Sequence, residues 1–221
     1  MTVILQTVSL VRRFGGLVAT NDVTMSLTEG ARHALIGPNG AGKTTFFNLL
    51  TGALKPTSGR ILLEGVDVTR EPAHRRVGRG MARTFQINQL FPDLTPLETV
   101  TFAVLEQRGR GIDPLHSVAA HAEEIDEAAD ILERFRLADV MGWKTSDMPY
   151  GKQRLLEIAV AIAARPKVLL LDEPAAGVPE GERHEILDMV NSLPKSVAVL
   201  LIEHDMDLVF SFAERISVLV N

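Results

Sequence analysis

Between Gly37 and Thr45 the chain reads Gly-Pro-Asn-Gly-Ala-Gly-Lys-Thr-Thr, directly after the apolar Ala34-Leu35-Ile36. Glycines at this density let the backbone bend until several N–H groups point at one centre, and let a bulky anion approach them. A helix opening near Gly42 adds its positive end. In the pattern Gly37-x4-Gly42-Lys43-Thr44, Lys43 can reach outer phosphate oxygens and the Thr44 hydroxyl can ligate Mg²⁺. Polyphosphate binding is therefore expected at Gly37, Pro38, Asn39, Gly40, Ala41, Gly42, Lys43, Thr44 and Thr45. A second constellation is Leu169-Leu170-Leu171-Asp172-Glu173-Pro174, two acids closing a short apolar strand. Asp172 is placed to hold Mg²⁺ directly or through water. Glu173, one residue on, can face an attacking water as general base. An acidic strand end alone reads equally well as a solvated loop. Beside a phosphate loop it points to hydrolysis.

The elements that must carry these residues follow from the apolar pattern. Short runs rich in Val, Ile and Leu predict strands at Val3–Val11, Val23–Leu27, His33–Ile36 and Ile61–Val66, separated by Gly, Asp and Thr clusters. A helix is expected from Gly42 to Leu50, with Gly52 just past its end. From about Ile87 to Asp147 the text turns helical and charged, with helices expected over Pro96–Glu106 and His121–Leu137. In the second, Ile125, Leu132 and Phe135 can share one face, and the acidic Glu123, Glu124 and Glu127 are expected on a solvated one. Leu155, Ile158 and Ile162 have helical spacing. Val168–Leu171, Val197–Ile202 and Ile216–Val220 predict buried strands, and Glu182–Asn191 a helix. Continuous apolar strands between helices predict a mainly parallel sheet covered on both faces, at whose carboxyl edge ligands bind.

Composition narrows the classes. With 221 residues and 46% hydrophobic residues the chain can bury a sizeable core. A net charge of −5 gives no electrostatic argument for nucleic acid as a partner. The absence of cysteine excludes disulfides and thiolate metal sites. Met1-Thr2-Val3-Ile4-Leu5 has no basic region of a secretory signal. The apolar runs fall short of the ~18 residues of a membrane helix, so at a membrane other chains would have to cross it.

Further signals stand in order along the chain: Thr84-Phe85-Gln86, Tyr150-Gly151-Lys152-Gln153-Arg154 ahead of Asp172, and His204 after the strand ending at Ile202. Over essentially its whole length the chain resembles the ATPase subunit of an ABC transporter. The resemblance implies a P-loop NTPase core, α/β with a mixed, mainly parallel sheet, an N-terminal antiparallel β subdomain and an inserted α-helical subdomain. The core would comprise residues 1–86 and 155–221, and residues 87–154 the helical part with the signature loop. It implies Walker A at Gly37–Thr45, a Q-loop at Gln86, a signature loop at Met148–Lys152, Walker B at Asp172 and Glu173, a D-loop at Ala175–Pro179 and a switch histidine at His204. Catalytic roles would fall to Glu173, His204, Gln86 and Lys43, and Mg²⁺ to Thr44, Gln86 and Asp172. Phe14 would stack on adenine. A core role for Phe14 and a plain surface role for Gln86 remain the alternatives.

"ARTFQINQLFPDLTPLETV" from Ala82, "YGKQRLLEIA" from Tyr150, "LDEPAAG" from Leu171 and "IEHDMDLV" from Ile202 resemble the ATPases of branched-chain amino-acid uptake systems. That branch implies ATP and Mg²⁺ as ligands, two integral-membrane permeases, a second and different ATPase, a periplasmic solute-binding protein, and a place on the cytoplasmic face of the inner membrane. Members of the family usually run on for a few more elements past the strand that ends this sequence, so the chain is expected to be either short or truncated. Import of amides or urea, lipid export and a soluble ABC ATPase are the alternatives. Two motifs depart from the family. Its Leu-Ser-Gly-Gly-Gln signature is Met148-Pro149-Tyr150-Gly151-Lys152 here, and the Asp or Asn that ends the D-loop is Pro179. Both departures fall on loops that reach a partner's nucleotide, so the two sites of a dimer are expected to differ; prolines tolerated there, with equal sites, are the alternative. Some anion affinity is expected to survive through the helix N-terminus and the Lys152 charge.

Overall fold

The computed structural model describes residues 2–84, 90–110 and 121–220. The chain forms two compact units. The first comprises Met1–Arg83, Lys167–Glu173 and Asn191–Asn221; the second comprises Thr84–Pro166 and Pro174–Val190.

The first unit holds two sheets. Strands β1 (Val3–Phe14), β2 (Leu17–Thr28), β4 (Ser58–Leu63) and β5 (Val66–Asp67) make an antiparallel sheet in the order β2-β1-β4-β5. β1 and β2 run past the expected Val11 and Val23 because a tight turn at Gly15, with φ 57, joins them as a hairpin. The run expected over Ile61–Val66 is broken at Glu64 and Gly65. Their φ values of 50 and 78 reverse the chain between β4 and β5.

Strands β3 (Arg32–Ile36), β6 (Met81–Arg83), β7 (Val168–Asp172), β8 (Ala198–Ile202) and β9 (Arg215–Val218) form a parallel sheet in the order β6-β7-β8-β3-β9. Every residue of β7 and β8 is buried, as their unbroken apolar text requires. β6 was not legible: three residues are too few for a periodic signal.

Helix α1 (Lys43–Thr51) belongs to the same unit. Its Phe46, Phe47, Leu49 and Leu50 enter one core with Leu5, Leu10 and Leu27 of the antiparallel sheet and Leu35, Leu170 and Leu200 of the parallel one. The carboxyl end of α1 is closed twice. Gly52 takes a left-handed conformation and returns its N–H to the Leu49 carbonyl. The Arg76 side chain, 1% exposed on the short helix α2 (Ala73–Gly78), donates to the carbonyls of Leu49 and Leu50 at 2.7 and 2.6 Å. Charged hydrogen bonds of this kind are worth about 1.5–3 kcal/mol each. Burial pulls the Arg76 guanidinium below its ordinary pKa, and Glu71 opposes that shift.

The second unit is helical: α3 (Pro96–Gln107), α4 (Ala122–Arg134), α5 (Tyr150–Ala163) and α6 (Glu180–Asn191). α3 starts with a capping box in which Thr95 accepts from the Glu98 N–H and Glu98 accepts from the Thr95 N–H. α4 ends earlier than expected, since Arg136 turns left-handed with φ 55. Its acidic run is not a uniformly solvated face. Glu124 is 2% exposed and accepts from Arg108 and Arg110, and Glu127 accepts from Arg108 and Arg165. A buried carboxylate needs such partners, and these lie in segments distant along the chain.

Candidate active site

The parallel sheet gathers the chemistry by topology. β3 ends at Ile36 and leads into the phosphate loop, β7 ends at Asp172 and β8 ends at Ile202. Asp172 pairs with Ile202 in register, and Leu35 pairs with the same Ile202. The carboxyl ends of three neighbouring strands therefore share one edge of the sheet, the edge at which ligands of open α/β sheets bind.

The phosphate loop is shaped by backbone that favours glycine. Gly40 and Gly42 have φ values of 85 and 90. A β-carbon at Gly42 would stand 2.0 Å from the carbonyl oxygen of Ala19, and one at Gly37 would stand 2.4 Å from that of Leu219. α1 begins without a side-chain cap and without an acidic residue in its first turn. Its first amides and its dipole are thus left to act on an anion. Lys43 is 8% exposed, and its ammonium donates to the carbonyls of Gly37 at 2.6 Å and Pro38 at 3.1 Å. These bonds hold the charge within the loop. A phosphate oxygen is a stronger acceptor than either carbonyl.

Phe14, Val18, Gly40, Thr44 and Leu219 line an open groove of 1120 Å³. Phe14 is 41% exposed, so it is not a core residue. The Arg12 guanidinium lies 4.4 Å from its ring centroid. A flat exposed ring beside the phosphate loop suits a stacking partner, and the arginine on it was not anticipated.

Asp172 is 2% exposed and Glu173 half-buried. Glu173 has φ 49, a left-handed conformation that a residue with a β-carbon adopts at a cost of about 1–3 kcal/mol. Its N–H donates to the Ile202 carbonyl at 3.0 Å, which fixes the turn. The Glu173 Oε1 lies 3.7 Å from Nδ1 of the exposed His204. Glu203 is a further, unanticipated neighbour. It is 2% exposed, its Oε2 lies 3.9 Å from the same Nδ1, and it accepts from the His204 N–H. A carboxylate able to take a proton and an imidazole able to donate one thus stand side by side.

Among the described residues no group of three or more His, Cys, Asp or Glu could hold a metal alone. Thr44 and Asp172 are hard oxygen donors, and they fit a cation such as Mg²⁺ that fills its shell with water and substrate phosphate. Gln86, expected both as catalytic and as a metal ligand, lies outside the described residues.

The signature segment belongs to the second unit. Pro149 stands at the N-cap of α5 with no side-chain hydrogen bond. Tyr150 lies against Gly177, where an added β-carbon would come 3.1 Å from its ring. Arg154 stands over the same ring at 5.0 Å. Lys152, expected to add a positive charge there, forms an ion pair with Asp139.

A family model described as "ABC transporter" matches residues 20–176. The chain is 41% identical to the high-affinity branched-chain amino acid transport ATP-binding protein LivG of Escherichia coli (strain K12), over 95% of this chain and 85% of that protein. It is 39% identical to the corresponding protein BraF of Pseudomonas aeruginosa, over 98% of this chain and 88% of that protein. Among solved structures it is similar to the ADP conformation of an ATP-binding cassette of an ABC transporter, with a TM-score of 0.85 and 33% identity, over 99% of this chain and 88% of that one.

Proposed function

The chain belongs to the ABC transporter family, and from that membership we propose that it is the ATP-hydrolysing subunit of an importer for branched-chain or related amino acids. One arrangement supports the hydrolytic part above all others: a phosphate loop, two acids and a histidine at the carboxyl ends of adjacent parallel strands. In this reading Lys43 and the amides of Gly37–Thr45 bind and neutralise the phosphates, and Phe14 stacks on the base. Glu173 takes the proton of the attacking water, and His204 donates to the outer phosphate. Thr44, Asp172 and Gln86 would hold Mg²⁺, which when bound neutralises charge on the phosphate oxygens.

The amino-acid part is supported by the likeness to LivG and BraF. Among the described residues no helix is long and apolar enough to cross a membrane. We place the chain peripherally on the cytoplasmic face of the inner membrane. Its partners would be two permeases, a second ATPase and, indirectly, a periplasmic binding protein. Residues 87–154 would be the helical subdomain that moves with the permeases, and the permeases and binding protein would choose the cargo. Purification of the tagged chain from membranes tests this. Two membrane proteins and a second ATPase should accompany it, and calorimetry should show no binding of leucine to the isolated chain. Recovery of the chain without membrane proteins, or tight ATP-independent leucine binding, would overturn the reading.

The altered signature carries a prediction of its own. Pro149 offers neither a hydroxyl nor an N–H to a phosphate across a dimer, and Pro179 offers no side-chain polar group. A lost donor to a charged group costs about 1.5–3 kcal/mol, and a solvated lysine paired with Asp139 does not restore it. The site built on this chain's Walker residues should therefore turn over faster than the opposite site, which its signature completes. Inactivating each subunit's catalytic glutamate separately in the purified complex checks this. Equal residual ATPase from the two would refute it.

A further inference from the structure

Asp172 does not end its strand in isolation. β6 lies parallel to β7, with Arg83 opposite Leu170. β6 therefore ends two residues short of the end of β7, and the Arg83 side chain spans that step to reach Asp172. Arg83 Nη2 donates to Asp172 Oδ2 at 2.7 Å, and its Nη1 donates to Asn48 Oδ1 at 2.5 Å. The guanidinium carbon stands 5.7 Å from the centroid of the Phe47 ring. The Arg83 side chain is 9% exposed and that of Asp172 2%. Asn48 follows Thr44 by one helical turn on α1, so the two side chains share a face. One planar fork therefore ties the carboxylate of β7 to the helix face that carries Thr44.

We propose that Arg83 is a positioning residue for the metal site: it braces the Asp172 carboxylate against α1, holding it in register with the Thr44 hydroxyl. This rests on the reading of Asp172 and Thr44 as Mg²⁺ ligands. With Oδ2 engaged by the guanidinium, Oδ1 is left to meet the hydrated cation. A lysine would not replace it, because an ammonium is a single point charge whereas the guanidinium directs two bonds to two elements at once. Carboxylates that bind metals are commonly held by such outer partners, and removing one costs ~10–100-fold in metal affinity or activity. Simple charge repulsion predicts the opposite sign, since a cation beside the site would weaken metal binding and its removal would tighten it.

The test is a titration of the full chain with Mn²⁺ in the presence of a non-hydrolysable ATP analogue, followed by electron paramagnetic resonance. Arg83→Met should weaken Mn²⁺ binding by about 10-fold or more. Arg83→Lys should not restore it. Analogue binding in EDTA should be unchanged, because Lys43 and the loop amides do not use Arg83. Unchanged or tighter Mn²⁺ binding by Arg83→Met overturns the proposal. If Arg83→Met also loses metal-free binding, Asn48→Ala decides, since it removes only the far anchor: weaker Mn²⁺ binding supports the bracing role and unchanged binding refutes it. Asp172→Asn separates the two levels. If it leaves Mn²⁺ binding intact, the metal reading itself fails. If it weakens binding while Arg83→Met does not, only the bracing role fails.

Discussion

Glu173→Gln should keep ATP binding and reduce turnover by at least about 10²-fold. The substitution is nearly isosteric, so it leaves the left-handed turn at φ 49 and the bond from its N–H to Ile202 undisturbed. What changes is the proton acceptor. A carboxylate can take a proton from water, and a carboxamide cannot. The imidazole of His204, 3.7 Å from Oε1, stays in place to meet the outer phosphate. The protein should therefore bind ATP and stop, and ATP-loaded subunits should accumulate as closed dimers with the partner ATPase. Phosphate release measured beside gel filtration in Mg-ATP gives both readouts. Normal turnover with no longer-lived dimer would remove Glu173 from the role of base.

Lys43→Ala should cut nucleotide affinity or turnover by about 10²–10³-fold, the usual loss when one preorganised charged contact to a transferring phosphoryl group is removed. The effect should be large because the ammonium is 8% exposed and anchored by the Gly37 and Pro38 carbonyls. It has little freedom to lose when a phosphate arrives. Lys43→Met keeps most of the buried stem without the charge, and so separates electrostatics from packing. Both variants should fail alike in a calorimetric titration with ATP. Unimpaired binding and hydrolysis by Lys43→Ala would sink the nucleotide-site assignment.

The residues proposed for the local half of the chemistry were legible for a physical reason. Glycines beside a lysine and a threonine, or two acids after three leucines, are local patterns, and strand-loop-helix punctuation places them. The unread parts depend on distant pairing. Arg83 finds Asp172 only because β6 joins the sheet next to β7, and nothing in three residues of strand announces that. A charged residue directly before Thr84-Phe85-Gln86 was the available signal. Glu203 was equally visible beside His204, but its burial depends on β8 running to Ile202. The acidic text of α4 misled because Arg108, Arg110 and Arg165 lie on other segments. The Lys152 charge stands in the sequence without its partner, Asp139, thirteen residues away. The charges of α4 and of Lys152 have partners that are not sequence neighbours, the kind of contact that periodicity does not encode.

Uptake of labelled leucine, isoleucine or valine into proteoliposomes tests the central claim most directly. The vesicles would carry this chain with the proposed permeases and second ATPase, and the solute-binding protein would be added on the opposite face. Mg-ATP on the side of this chain should drive accumulation of the amino acid, and the same vesicles carrying Glu173→Gln should fall well below the wild type. Accumulation that is absent with the wild-type chain, or that is undiminished by Glu173→Gln, would contradict it.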